Sequence, residues 1–323
     1  MDIYAQVNDY VSRLPVICQW DEARSLFART ADGKQPHWLM PVRSCEAVGG
    51  AEEAAIPASA AIACAHIAII LVDDMLDSDP RGEYRRIGAP AAANLACAFQ
   101  AASIESLARA DIPDEARLAA LATMNRTFLS TALGQFWDVQ SPSDEEAYWR
   151  VVRIKSSPFF GAALYLGALA GGASVEIAGR LRELGGLYGE MIQIHDDLND
   201  SLAVPANPDW IQGRSPLPIL FAKQVDHPQR DRFLKLCENI LDAGALAEAQ
   251  EILIHCGAVS YCVDQLLRKY MSAREYLDAL TLRQRDALEA LFQGVVTPVW
   301  KLLDEMGETP PDLPMLEKSA VPG

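Results

Sequence analysis

Residues 54–72 run for nineteen positions without a formal charge and end directly on Asp73-Asp74. That length reaches the roughly 20 residues a membrane span needs. The run, however, holds Pro57, Ser59 and His66, is built largely of alanine and lacks basic flanks, so it reads as a helix buried on all sides and not as a membrane span. The rest of the chain supplies the material to bury it. Alternating β-branched runs are almost absent, no Asn-Gly or Asp-Gly turn joins two such runs, and long Ala/Leu/Glu/Arg-rich stretches take their place. Clusters of Gly, Pro and Asp at 32–41, 49–50, 78–90, 111–114, 141–144, 171–174, 203–216 and 226–228 separate about ten expected helices. One of these is a long helix over 183–200, and the small residues of 161–172 invite another helix to approach closely. The expected fold is all-α, a single large helical bundle around a deep central cavity, forming one domain over 1–323 with a loosely held, proline-rich tail at 307–323.

Lys and Arg number 28 against 44 Asp and Glu, a formal charge of −16 in 323 residues. Nucleic acid is excluded as a partner on this balance, and an anionic substrate must be met by a few local cations or by metal ions on clustered carboxylates. Seven cysteines form no CxxC pair, are odd in number and fall mostly in apolar helical segments; they read as reduced core residues. With an N-terminus that lacks an apolar signal core, the expected compartment is the cytoplasm.

Asp73-Asp74-Met75-Leu76-Asp77 and Asp196-Asp197-Leu198-Asn199-Asp200 both read DDxxD, each at the C-terminal end of an apolar helical segment. With 24 Asp in the chain, independent placement gives about 0.13 such patterns, so two together are no accident. Positions i, i+1 and i+4 share one helix face. Three carboxylates so placed repel one another and oppose the helix dipole, a cost that a bound cation offsets. Hard oxygen ligands favour Mg²⁺, which shares its shell with substrate phosphate oxygens. The plain alternative, a solvated acidic helix end, does not explain the repetition.

These motifs, with others in order, resemble the trans-isoprenyl diphosphate synthase (polyprenyl synthetase) family over roughly residues 20–300. The family's first aspartate-rich motif and following arginine pair match AHIAIILVDDMLDSDPRGEYRR with Arg85-Arg86, its GQ..D signature matches Gly134-Gln135-Phe136-Trp137-Asp138, and its lysine-threonine pair matches Lys155-Ser156. The second motif matches Gln193-Ile194-His195 and the aspartates that follow. The resemblance implies that Asp73, Asp77 and Asp196 ligate Mg²⁺, three ions per site, gripping an allylic prenyl diphosphate. Asp74, Asp197 and Asp200 support them, Arg85 and Lys155 hold the same diphosphate, Asp138 orients Lys155, and Gln193 and Ser156 face the allylic cation. It also implies a homodimer.

The family's second substrate, isopentenyl diphosphate, is held by a GGKRxRP segment, a polar residue seven before the first Asp, and the second arginine. Here Lys34 and Arg86 are kept and His66 fits the polar position, but His37 stands where the family has arginine and Trp38 where it has proline. Beyond the second motif a shortened SLAVPANPDWIQGRSPLP offers only Arg214 near a family lysine. Exchanging a bidentate, always-charged guanidinium for imidazole weakens diphosphate binding. Three readings follow: head-to-tail elongation of an allylic diphosphate with isopentenyl diphosphate to about C15–C20; ionisation followed by a lyase-type fate or attack by a non-isoprenoid acceptor; and a non-catalytic subunit, which two intact acidic motifs disfavour. Product length is expected to depend on Ala68 and Ile69, then Ala65 and Ala61, about one, two and three turns before Asp73. Alanines there leave a groove, unless they serve only close helix packing.

Overall fold

A computed structural model describes residues 2–305; the tail expected at 307–323 lies outside the described residues. Among these the regular structure is entirely helical, with sixteen α-helices and three short 3₁₀ turns. The excess over about ten comes from the breaks themselves. Gly- and Pro-rich connections fold into single turns such as Tyr84–Ile87 and Pro208–Ile211, and the N-terminal third divides into Ile3–Ser12, Asp21–Asp32 and Met40–Val48.

The apolar run forms the first-motif helix, Ile56–Asp77, with Pro57 in its first turn, where a missing N–H costs nothing. Its end is sharp. Ser78 adopts a left-handed conformation (φ 54°) and its N–H bonds the Asp74 carbonyl, so the chain turns away immediately after the third aspartate. By length and composition the segment Glu52–Asp77 could cross a membrane, yet 72% of its most apolar window is buried inside the bundle. Its neighbours include helix Ala89–Ala108 and the N-terminal helices, with Phe27, Trp38 and Phe99 filling the space between them.

The second-motif helix, Val175–Leu202, is capped by the Ser174 side chain, which accepts from the Ile177 N–H. Its 28 residues span about 42 Å, longer at both ends than the 183–200 expected. It lies against helix Ser157–Ala170, and the approach is set by glycine. A Cβ on Gly185 would stand 2.4 Å from the Phe160 carbonyl oxygen, and one on Gly167 would stand 2.0 Å from that of Pro41, in helix Met40–Val48. The small-residue stretch is therefore a double contact surface. All seven cysteines are free, but only Cys45, Cys64 and Cys262 are buried; Cys18 and Cys97 are exposed, because their helices turn those positions outward.

Candidate active site

Both acidic motifs open into one cavity of about 330 Å³. Asp73 and Asp77 enter from the first-motif helix and Asp196, Asp197 and Asp200 from the second. Lys155, the last residue of helix Glu145–Lys155, stands between them, its Nζ 2.6 Å from Asp138 Oδ2 and 3.7 Å from Asp73 Oδ1. Burial works against the ammonium, but these two carboxylates outweigh it and hold its pKa above the ordinary lysine range. Lys155 is a fixed cation.

Arg214 supplies a second. It is buried, donates to Asp77, and lies 3.7 Å from Asp209 and 4.0 Å from Asp138. Gln212, two residues earlier, donates to the Asp77 carbonyl, so the 203–216 connection is tied to the end of the first-motif helix. Burial raises the Asp73 carboxyl, with Asp77 and Asp138 adding repulsion against the pull of Lys155. Burial likewise pushes Asp74 up to about 6, with Asp79 and Asp73 reinforcing it, and pushes Asp209 up to about 6 despite Arg214 beside it. The site carries more negative charge than its two cations neutralise.

A hydrogen-bonded chain backs the second wall. Ser156 Oγ donates to Gln193 Oε1 at 2.6 Å and Gln193 Nε2 to Asp197 Oδ1 at 2.8 Å. Asp197 also accepts from the Tyr148 hydroxyl and the Leu217 N–H, both at 2.8 Å. Burial pushes its carboxyl up to about 7 even so. Three donors occupy Asp197, which makes it an anchor for the helix. Asp74 lies outside the cavity wall and faces the Gly82–Tyr84 turn.

The opposite end is aromatic and neutral. His37, His66, Phe159 and Phe160 line it, with the His37 ring 5.0 Å from Phe160 and 6.0 Å from His66. Trp38 Nε1 donates to His66 Nδ1 at 3.2 Å, and burial, with His37 adding to it, lowers the His66 pKa to about 4. Burial also lowers His37, against the field of Asp196, and its Nδ1 is buried without a hydrogen-bond partner.

Three expected substrate contacts are elsewhere. Lys34 pairs with Asp2, Arg86 with Glu22 and Glu83, and Arg85 lies over the Tyr84 ring and donates to the Ser78 carbonyl. None borders the cavity; each surface cation has found a nearer partner. Ala61 and Ala65 are wholly buried in helix contacts and leave no groove. Ala68 and Ile69 instead border a small void of about 50 Å³ beside Asp73, lined also by Phe128 and Gln135 and sharing Ile69, Asp73 and Thr131 with the main cavity. Sequence reasoning missed Asp209 and Tyr148. Asp209 was findable, since it lies within the anomalous connection five residues before Arg214; Tyr148 gives no signal in the sequence.

No three His, Cys, Asp or Glu side chains among the described residues converge tightly enough to hold an ion unaided. The donors are all carboxylate oxygens on two walls of one cavity, beside fixed cations. That set fits Mg²⁺, which takes one or two carboxylates and completes its octahedron with water and phosphate oxygens.

The polyprenyl synthetase family model matches residues 24–253. The chain belongs to that family. It is 30% identical over 304 residues to nonaprenyl diphosphate synthase of Mycobacterium tuberculosis, covering 86% of this chain and 88% of the relative. It is 27% identical to geranylgeranyl diphosphate synthase of Methanosarcina mazei, covering 77% and 81%. Among solved structures, geranylgeranyl pyrophosphate synthetase from Pyrococcus horikoshii superposes with a TM-score of 0.79 at 24% identity, over 91% of this chain and 94% of that one. A polyprenyl synthase from Caulobacter crescentus, complexed with calcium and isoprenyl diphosphate, gives 0.76 at 22%, over 91% and 93%. These likenesses carry the all-α isoprenoid synthase fold.

Proposed function

We propose that the protein is an Mg²⁺-dependent prenyltransferase that ionises an allylic prenyl diphosphate and joins it head to tail to isopentenyl diphosphate, giving products of about C15–C20. The observation that carries this reading is the convergence of both acidic motifs with Lys155 and Arg214 on one cavity. The relatives named as prenyl diphosphate synthases support the elongation. Asp73, Asp77, Asp196 and Asp200 are the residues suited to hold three ions, which when bound neutralise the charge that develops on the leaving diphosphate.

The chain's own groups do the rest. Lys155 and Arg214, kept charged by their carboxylate partners, face the diphosphate as the C–O bond breaks and its electron pair departs with oxygen. Phe159 and Phe160 exclude water and present ring faces to the allylic cation. Gln193, oriented by Ser156 and Asp197, adds a fixed dipole. The double bond of the second substrate forms the new C–C bond, and a proton passes to the departing diphosphate. We place the reaction in the cytoplasm and in a homodimer. Leu129, Leu133 and Phe136, exposed along helix Asp114–Asp138, are an apolar stripe suited to a second copy.

A second reading rests on the neutral aromatic end. His37 and His66 are uncharged at neutral pH, and Lys34 and Arg86 are paired on the surface. A neutral acceptor, or a double bond of the same prenyl chain, suits that lining better than a second diphosphate. Incubation with Mg²⁺ and each C5 to C20 allylic diphosphate, with and without isopentenyl diphosphate, separates the two. Elongated product supports the first, diphosphate release without isopentenyl diphosphate supports the second, and neither outcome defeats both.

A further inference from the structure

The junction between helices Glu145–Lys155 and Ser157–Ala170 has two faces. Lys155 and Ser156 face the active-site cavity. The other face borders a separate, open surface pocket of about 340 Å³, lined by the exposed Arg126, Arg153 and Arg182 and by Thr123, Ser130 and Ser157. That volume is at the lower end of ligand cavities, roughly 300–1,000 Å³.

Three guanidinium groups share this wall in a chain of charge −16. Arg126 and Arg182 form no ion pair among the described residues; the Arg182 guanidinium lies 5.7 Å from the Tyr165 ring centre. Arg153 reaches Glu190 at 3.2 Å with its side chain 59% exposed. Two hydroxyls in the same wall, Thr123 Oγ1 and Ser157 Oγ, are buried without any hydrogen-bond partner, on residues only 4% and 9% exposed. Buried polar atoms are normally satisfied, and leaving one unmade costs about 1–3 kcal/mol. Their neighbours do not share the defect, since Thr127 donates to the Thr123 carbonyl and Ser130 to that of Ile154. Ser157 is also the first residue of a 14-residue helix. It is held in place by close backbone contact, because a Cβ on Gly189 would stand 2.8 Å from its Cα.

We propose that this outer cavity is an anion site that binds inorganic diphosphate, the by-product of the reaction. The three arginines supply charge, and the Ser157 and Thr123 hydroxyls donate to its oxygens. The choice of diphosphate rests on the prenyltransferase reading; the anion site itself does not. Occupancy sets the anion against Glu190 for Arg153. It also bears on backbone that Ser130 and Thr131 fasten through the Ile154 and Lys155 carbonyls, the same backbone that carries Lys155. The by-product thereby acts on the active site from behind.

The test is calorimetric titration of the full chain with inorganic diphosphate at low salt in EDTA, where the metal-free aspartate cavity repels the anion. The expected result is one diphosphate per chain, binding that weakens with salt, a loss of tenfold or more in Arg126→Gln/Arg182→Gln, a severalfold loss in Ser157→Ala, and no change in Asp73→Ala. Absence of binding up to millimolar diphosphate overturns the proposal, as does unchanged affinity in the double variant or lost affinity in Asp73→Ala. Because turnover is not measured, a chain that binds diphosphate here but never ionises an allylic substrate keeps this site and loses the prenyltransferase reading.

Discussion

Arg214, from the connection after the second acidic motif, donates to Asp77, the last residue of the first-motif helix. An internal cation thus ties the connection that follows the second acidic helix to the end of the first. Breaking a buried charge pair costs about 3–5 kcal/mol, and the cost here is less because the Asp77 side chain is 20% exposed. Arg214→Ala is expected to lower the melting temperature by several degrees and kcat by about 100-fold. Arg214→Lys keeps the charge but loses the second contact, and falls between. Thermal melts and steady-state kinetics of both variants check this, and wild-type kcat in Arg214→Ala removes the cation from the mechanism.

Asp73→Ala and Asp196→Ala are each expected to abolish turnover while leaving the fold intact. Asp73 sits among like charges that raise its pKa alongside burial, and the Asp196 side chain is 59% exposed, so neither deletion empties a packed site. EDTA is expected to have the same effect on the wild-type enzyme, reversed by Mg²⁺. Near-normal product formation in either variant would end the metal assignment.

His37→Arg restores the guanidinium of the family pattern at the neutral end of the cavity. If isopentenyl diphosphate is the acceptor, its KM falls about tenfold. An unchanged KM, with allylic turnover intact, favours the neutral acceptor.

His66 makes stability depend on pH. Its folded pKa, about 4, lies below the unfolded value of about 6.5, so between these the unfolded chain binds the extra proton and stability rises with pH, levelling off above 6.5. The whole step is on the order of 3 kcal/mol. Melting curves from pH 4.5 to 7.5 are expected to be steeper in wild type than in His66→Asn; parallel curves contradict the assignment.

How much of this is in the sequence depends on how local each feature is. The first-motif helix is legible because a nineteen-residue uncharged run with Pro57, Ser59, His66 and no basic flanks reads as buried, and Asp77 is its natural end. Lys155 beside Asp138, and Arg214 in the site, follow from the order of the motifs. The positions of Lys34, Arg85 and Arg86 do not. Each depends on an acidic residue such as Asp2, Glu22 or Glu83 that no motif contains, and on a turn whose direction is set by packing. Asp74 and Asp197 occupy the same motif position, yet Tyr148 and the Leu217 N–H, remote in the chain, bind Asp197 against the cavity wall, whereas Asp74 lies outside that wall.

Ala68 borders the 50 Å³ void beside Asp73. Ala68→Phe fills it and, with overpacking of about 1–3 kcal/mol, is expected to give a folded enzyme with shorter products. Chromatography of the prenyl chains decides; unchanged length shows that the growing chain leaves by another route.

The glycine contacts at Gly167 and Gly185 fix the distances between three helices by backbone against backbone. The scaffold's dimensions are therefore independent of the side chains that face the substrate. A lining residue can be exchanged, as imidazole stands for guanidinium at His37, without any helix moving to accommodate it. Reactivity and architecture are inherited separately in this chain, and its specificity is open to change by single substitutions that leave the frame untouched.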